Sequence, residues 1–563
     1  MRNTWTIRSQ NPQKQKLFSD TLGIDKITAQ LLCNRAIDSV ESAKKFLFPQ
    51  EQDFFNPFLL KDIKIASERI SDAISNNEKI LIYSDYDVDG ITGAALLYKV
   101  LKYANAKVDV YIPDRIKEGY GLNKESIEKI AKNKFSLVIT VDCGTTAIEE
   151  AELARELGLC LIITDHHRPQ SIRPQSFALI NPLQDGCEYP FKYLAGVGLA
   201  YKLAEAVIQT AKIDYDITQH LDMVSIGTIA DVVSLLDENR IFAKLGLEHL
   251  ANTKNKGIKA LIKNSRLNTT YFTSEHVSYI IAPRLNAAGR LNTALLSVKL
   301  LITENESEAQ DLAGTLEREN RNRQMLQEKI LKQATEIANQ NKKNSDDILV
   351  LAGENWHPGV IGIVASKIVE KFSKPALLIS INGNTAKGSG RSMGGFDIFS
   401  AVSHCDSLLV EYGGHRGACG FSIHPSRIND FREKINKFYI EKSEKFIPAK
   451  KIQADMELKL SDLNGKVMNE INKISPFGQG NQKPIFISRN LKVKNKQKGI
   501  YRTKIWITDN DMTHEASFNE NTFREADNLK IGDVVDLAYS PMIKNWRGME
   551  YINFDIEDIE VIN

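Results

Sequence analysis

Three aspartates alternate within "YSDYDVDG": Asp85, Asp87 and Asp89, directly after the apolar run Ile80-Leu81-Ile82. Carboxylates this close repel one another at neutral pH. Taken alone, the stretch could form a turn or cap the next helix. Other segments add to it. "VDCGTTA" carries Asp142 ahead of a glycine turn, "TDHHRP" carries Asp165, His166 and His167, and "SIGTIADVVSL" sets Asp231 among apolar residues. Adjacent histidines can point two imidazoles toward one region, and a neighbouring carboxylate can orient one of them. A buried aspartate needs a cap, a salt bridge or a metal. Acids gathered with histidine and no thiolate suit Mn2+ or Mg2+, whose charge would relieve the repulsion.

A second group of residues suits an anion. Arg115 lies in "PDRIKEGYGL", Arg284 and Arg290 bracket "RLNAAGR", Arg391 and Ser392 end "GSGRS", and His415 sits in "GGHRGACGF". The guanidinium fork matches phosphate oxygens, although any one arginine could equally serve a structural ion pair. The segment 488–506, "SRNLKVKNKQKGIYRTKIW", holds five lysines and two arginines, no acids, and the aromatics Tyr501 and Trp506. That mixture fits either a solvated β-hairpin or a surface for single-stranded nucleic acid.

These residues need a scaffold. "KILIYSD" (79–85), "VDVYIPD" (108–114), "LVITVD" (137–142) and "LCLIITD" (159–165) read as short buried strands, with helical stretches at 93–104 and 147–158 between them. Strands alternating with helices imply a parallel, doubly wound sheet. Sites in such sheets form at the carboxyl ends of strands, where Asp85, Asp114, Asp142 and Asp165 each stand. Residues 1–75 read as mostly helical. Residues 304–342 are charged and nearly free of Gly and Pro, which predicts a long helix connecting two lobes. A second α/β pattern follows, with strands near 347–353 and 375–381. Past 449 several short strands suit a small barrel of OB type.

The 563 residues suggest three or four domains. Lys and Arg total 73 against 71 Asp and Glu, so any nucleic-acid contact must come from local patches. The six cysteines are scattered without C-x-x-C spacing, which argues against a disulfide framework and for a reducing compartment. With no signal peptide and no apolar run near the ~18 residues of a membrane span, a cytoplasmic location is expected.

In order and spacing, "DYDVDG", "VDCGTTA", "TDHHRP" and "GTIADVV" resemble the motifs of DHH phosphoesterases. "IPDRIKEGYGL", "APRLNAAGRLN", "HPGVIGIVASKI", "GSGRS", "GGHRGACGF" and "ISPFGQGNQKPIF" resemble those of the RecJ single-strand-specific exonucleases. The resemblance covers about 75–425 and extends to the lead-in of a terminal barrel. It implies an α/β protein with a parallel-sheet DHH domain (76–303), a connecting helix (304–342), a second α/β lobe (343–448) that binds substrate, and a C-terminal OB-like β-barrel (449–563), after an N-terminal helical region (1–75). The implied activity is 5′→3′ hydrolysis of single-stranded DNA by two Mn2+ or Mg2+ ions, releasing 5′-mononucleotides in DNA repair and recombination. A single-strand-binding protein and a helicase are the implied protein partners. Carried over by motif, Asp87, Asp89, Asp142, His166 and Asp231 are the metal ligands, with Asp85 and His167 in support. Arg115, Arg284, Arg391, Ser392 and His415 line the path and terminal-phosphate pocket of the DNA. Many DHH enzymes place a histidine ligand where this chain has Tyr83, which implies that one metal is held either less tightly or by another group such as Asp85. The alternatives are a DHH phosphoesterase for oligoribonucleotides or cyclic dinucleotides, which needs no basic barrel, and a silent binding scaffold, which would have lost its ligands.

Overall fold

The computed structural model describes residues 4–562 except 116, 268, 292, 341–346, 443–450, 500–501, 520–528 and 547–548. The expected boundaries at 342/343 and 448/449 therefore lie outside the described residues, as does Tyr501.

Five parallel strands form the first sheet, in the order Lys107–Tyr111, Lys79–Ser84, Leu137–Val141, Cys160–Thr164, Ala178–Ile180. Every residue of Leu137–Val141 is buried, because helices cover both faces. The helices Ile63–Ser75, Val88–Tyr103 and Gly196–Ala211 close one face, and Lys124–Lys132 and Ile148–Glu156 close the other. Strand order reverses direction between Lys79–Ser84 and Leu137–Val141. A doubly wound sheet opens a crevice at that point. The chain leaves the two strands there as Asp85 and Asp142.

The helix Glu306–Gln340 spans 35 residues, about 52 Å at 1.5 Å per residue. Ala309, Ala313 and Leu316 belong to the helical core behind the first sheet, whereas Ile330, Ala334 and Ala338 belong to the core of the second lobe. Spacings of three and four place each set on one helix face. A single rigid element thus fixes the two lobes. The second lobe is a mixed sheet ordered Leu409–His415, Ala418–Ile423, Thr385–Arg391, Ala376–Asn382, Leu349–Glu354, parallel only in its last pair. The helix Pro358–Phe372 packs on one face of this sheet.

The C-terminal strands Phe486–Lys498, Arg502–Thr508, Thr513–Asn519, Met549–Val561 and Val534–Trp546 close into a five-stranded barrel through pairing of the first with the last. The expected basic hairpin is its first two strands. Its cations are partly offset by acids: Arg489 pairs with Glu457 and Asp536, Arg502 with Asp555, and Lys504 with Glu515. The N-terminal region does not stand apart. Phe18, Leu31, Leu32 and Leu47, from its first three helices, share one core with Phe486, Phe518 and Phe554 of the barrel. The strand Thr4–Ile7 pairs in parallel with Lys451–Ala454. Residues expected as one helical region over 1–75 are divided between this core and the first sheet, which takes the helix Ile63–Ser75.

Phe18→Ala should therefore weaken the barrel although it lies about 500 residues away in sequence. Loss of a buried phenylalanine costs about 3–5 kcal/mol. In denaturant unfolding the loss should fall in the same transition that Phe554→Ala shifts, and a shift confined to a separate transition would contradict the shared core.

Candidate metal centre

Each acid is delivered by the end of an element. Asp87 is the N-cap of the helix Val88–Tyr103, and its Oδ1 accepts from the amides of Asp89 and Gly90. The capping role considered for this stretch is thus real, and it uses one oxygen of Asp87. Asp89, in the first turn of that helix, reaches the start of another. Its Oδ2 accepts from Gly196 N at 2.6 Å and its Oδ1 from Val197 N at 2.8 Å. Gly196 is needed there, because a Cβ would lie 2.8 Å from Asp142 Cβ and 2.9 Å from Asp89 Oδ2. Asp142 holds a left-handed backbone (φ 61°), an uncommon state for a non-glycine residue and one concentrated at functional sites. Asp231 caps the C-terminal end of the helix Leu221–Ala230, where the helix dipole disfavours a carboxylate.

These side chains converge on His166. Its Nε2 lies 3.1 Å from Asp142 Oδ1, 3.6 Å from Asp231 Oδ2 and 3.9 Å from Asp89 Oδ2. Burial and the neighbouring His167 push the His166 imidazole down to about 4, so it is neutral at pH 7 and offers a lone pair. Burial, then repulsion from Asp87, raises Asp89 to about 7; burial, then Asp89, raises Asp231 to about 9. Asp85 and Asp142 are held well above the usual carboxylate range, first by burial and next by neighbouring acids. Asp85 Oδ1, Asp142 Oδ1, Asp231 Oδ2 and His166 Nε2 are buried without a hydrogen-bond partner. Four orphaned ligand atoms in one pocket fit divalent cations. The donor atoms form overlapping groups, each within 4.8 Å: Asp89–His166–Asp231, Asp85–Asp87–Asp142, and Asp142–His166–His167, which shares residues with both. The donors are carboxylate and imidazole, as Mn2+ or Mg2+ prefers.

Asp85 stands inside the second set. Tyr83 does not: its hydroxyl is buried and donates to Gly121 O at 2.9 Å. His167 is held differently from His166. Asp165 Oδ1 lies 2.7 Å from His167 Nδ1 and also accepts from the His167 amide, while Asp165 Oδ2 accepts from Thr145 N. Burial opposes ionisation of Asp165, yet these bonds hold it at about 2; burial opposes the charge on His167, yet Asp165 raises its affinity for a proton. Asp165 therefore orients His167. Tyr120 was not singled out from the sequence. Its hydroxyl reaches both His167 Nδ1 (3.1 Å) and Asp142 O (3.2 Å). Its place between Gly119 and Gly121, both at φ 80°, was the available signal.

Beside the acids lies a cleft of about 420 Å³ lined by Arg115, the helix start at Pro358 and Gly359, and a sheet floor that includes Ser389, Gly413 and Gly420. The Arg115 guanidinium sits 4.8 Å from the Tyr86 ring centroid. Arg391 donates to Ser389 Oγ at 3.2 Å. Burial, then Arg115, Arg323 and Arg391, lowers the buried Arg290 to about 9, so four guanidiniums are gathered beside the acids. The other residues expected for phosphate are placed elsewhere. Arg284 is committed to Glu317 (2.7 Å) and Ile280 O (2.6 Å). The Ser392 hydroxyl bonds Phe396 O. His415 is exposed at the tip of a hairpin, in one cross-strand row with Ala418 and Arg391.

The family described as "DHH family, N-terminal domain" matches residues 79–228, "DHHA1 domain" matches 345–441, and "RecJ OB domain" matches 454–558. The single-stranded-DNA-specific exonuclease RecJ of Bacillus subtilis is 39% identical over 565 residues, covering 99% of this chain and 71% of that protein. The Escherichia coli protein of the same name is 29% identical over 93% of each chain. The crystal structure of RecJ in complex with Mn2+ from Thermus thermophilus superimposes with a TM-score of 0.85 at 26% identity, covering 99% of this chain and 80% of that one. A manganese-bound exonuclease RecJ structure gives 0.61 at 32% identity, over 68% and 96%.

The raised acids make a pH prediction. In the metal-free fold Asp89 and Asp231 favour the protonated form, so the stability they lend is complete below the unfolded value near 4 and lost as pH rises through about 7 and about 9. A divalent cation binds the ionised form. The rise in Tm on adding Mn2+ should therefore widen from pH 5.5 to pH 8.5. An equal rise at both values would show that these acids are not its ligands.

Proposed function

Because the chain belongs to the RecJ family of single-stranded-DNA-specific exonucleases, we propose that it shortens single-stranded DNA from the 5′ end with two Mn2+ or Mg2+ ions, releasing 5′-mononucleotides. The setting we propose is DNA repair and recombination in the cytoplasm, with a single-strand-binding protein and a helicase as partners. The observation that carries this reading is the set of four buried, partnerless ligand atoms beside a cluster of arginines. Such ions, when bound, polarise a phosphodiester and make water a nucleophile at neutral pH.

The residues of the chain do the rest. Asp89, His166 and Asp231 would hold one ion and Asp85, Asp87 and Asp142 the other, with Asp142 next to both sets through His166. His167, whose affinity for a proton Asp165 raises, would donate a hydrogen bond to a phosphoryl oxygen. Arg115 and Arg391 would receive a terminal phosphate in the cleft, with Ser389 in the place expected for Ser392. A phosphate held there fixes which end enters and where the bond breaks. Arg284 would act by bracing the connecting helix through Glu317. The division that suits this function runs from chemistry at 76–303 to substrate binding at 343–448, with 449–563 and the first helices as a second binding unit. The barrel speaks against a small-nucleotide hydrolase, and acids or histidine at all but one of the expected ligand positions speak against a silent scaffold.

Asp142→Asn should lower hydrolysis of end-labelled single strands in Mn2+ by at least about 100-fold, since even groups that merely support a metal ligand are worth 10- to 100-fold. Near-normal turnover would refute the metal assignment. Arg391→Ala should slow 5′-phosphorylated strands more than 5′-hydroxyl strands, because one charge-assisted contact is worth about 1.5–3 kcal/mol. Equal slowing of both, or degradation from the 3′ end, would return Arg391 to a structural role.

A further inference from the structure

The helix Asp237–Ala251 opens on three buried polar side chains in a row, Glu238, Asn239 and Arg240. A buried polar group is costly unless hydrogen bonds satisfy it. Glu238 accepts from Phe55 N and from the Tyr189 hydroxyl, and it lies 2.9 Å from Lys202 Nζ. Arg240 donates to the carbonyls of Phe46 and Ser475. These two residues anchor the helix start to several distant segments. Asn239, between them, reaches elsewhere.

Its side chain joins two loops. Nδ2 donates to Tyr193 O at 2.6 Å and to Ser234 O at 3.1 Å, and Oδ1 accepts from Ala195 N at 3.3 Å. Neither loop has regular structure to hold it, since 187–195 and 232–236 belong to no helix or strand. The second loop is entered at Val232 with φ 61° and left at Asp237 with φ 47°, both uncommon for residues other than glycine. Strained backbone of this kind persists where the surroundings hold it in place.

Both loops carry parts of one candidate metal site. Ala195 is the N-cap of the helix Gly196–Ala211 and brings no capping side chain. The first amides of that helix are satisfied from outside: Asn239 takes Ala195 N, and Asp89 takes Gly196 N and Val197 N. Between Tyr193 and Ala195 lies Leu194, whose backbone hydrogen bond acts on His166. His166 Nε2 has no partner, so that bond falls to Nδ1 and leaves Nε2 facing the acids. Ser234 lies three residues after Asp231, on the loop that follows it. Asp89, His166 and Asp231 come from three distant stretches of chain, and the loops that place all three are tied to one amide group.

Resting on the two-ion reading above, we infer that Asn239 is a positioning residue for the ion held by Asp89, His166 and Asp231, acting by fixing the loops 193–195 and 232–236 against each other. Its hydrogen bonds reach backbone groups only, so it acts on the ligands through the loops. Groups that orient metal ligands from outside typically change metal affinity 10- to 100-fold.

The test counts Mn2+ as well as product. The whole chain as wild type, Asn239→Ala, Asn239→Asp and Asn436→Ala is titrated with Mn2+, and the free ion is followed by its electron paramagnetic resonance signal. Asn239→Asp keeps the acceptor for Ala195 N but has at most one proton to share between two carbonyls. Asn436 is a buried amide of the second lobe bonded to the backbone of Ile348 and Arg432, and it controls for lost packing. Wild type should bind two ions. Asn239→Ala should hold one of them roughly 10- to 100-fold more weakly and the other nearly unchanged, with Asn239→Asp in between. Asn436→Ala should lower Tm and keep both. The Mn2+ concentration for half-maximal turnover should rise by the same factor in Asn239→Ala, with kcat recovered at saturating Mn2+. Weakening of both ions alike, of neither, or of the same ion in Asn436→Ala overturns the inference. So does failure of both Asn239 variants to fold, which would assign Asn239 to the fold alone. A wild type that binds fewer than two ions would overturn the two-ion reading and this inference with it. Two ions bound and one selectively lost, without cleavage of single strands by wild type, would overturn the exonuclease reading and leave this inference standing.

Discussion

Mutual repulsion among buried carboxylates is the constraint around which the first lobe is built. Five aspartates and a neutral imidazole face a space from which water is largely excluded. Burial first, and neighbouring acids second, push Asp85, Asp89, Asp142 and Asp231 toward protonation. No lysine or arginine is paired with this group among the described residues. Stabilisation comes instead from amides: Gly196 and Val197 for Asp89, Asp89 and Gly90 for Asp87. Backbone strain at Asp142 and the unfavourable helix end at Asp231 add to the cost. A fold tolerates this at a functional site when surrounding structure over-determines it, and a fully buried parallel sheet supplies that rigidity.

The arginines form the opposite half of the same design. Arg115, Arg290, Arg323 and Arg391 come from four different segments; burial first lowers the proton affinity of the last three, with repulsion from Arg115 added at Arg290 and Arg391 and from Arg284 at Arg323. Acids crowd on one side and guanidiniums on the other. A phosphodiester chain with divalent cations is complementary to both at once, bringing anions to the arginines and positive charge to the acids. The helix Glu306–Gln340 fixes the spacing between the halves, since its two ends are buried in the two cores.

Much of this was legible in the sequence. Apolar runs ending in aspartate announced the parallel sheet, and the low Gly and Pro content of 304–342 announced the connecting helix. The sites at Asp85, Asp87, Asp89, Asp142, His166 and Asp231 follow from motif position, because strand ends in a doubly wound sheet have one place to meet. Long-range pairing was not legible. Nothing local in "GSGRS" shows that Ser392 turns to Phe396 while Ser389 faces the cleft; that depends on which residues pair across three strands. Arg284 looks the same in sequence whether Glu317, 33 residues later, claims it or a phosphate does. The role of Gly196 lay in the unremarked "AGVG", whose small residue at a helix start allows the close approach to Asp89 and Asp142.

The core shared by the first helices and the barrel has a consequence for synthesis. The first three helices display Phe18, Leu31, Leu32 and Leu47 as soon as they are made, yet their partners Phe486, Phe518 and Phe554 are added several hundred residues later. At about 5–20 residues per second the interval is on the order of half a minute or more. Throughout it an unfinished apolar surface stays open while the metal-binding lobe has all its strands and can fold. The closing of the barrel onto the first helices is therefore a late event, slow for the same reason that any contact of high sequence separation is slow, and the nascent chain is most in need of a chaperone before it.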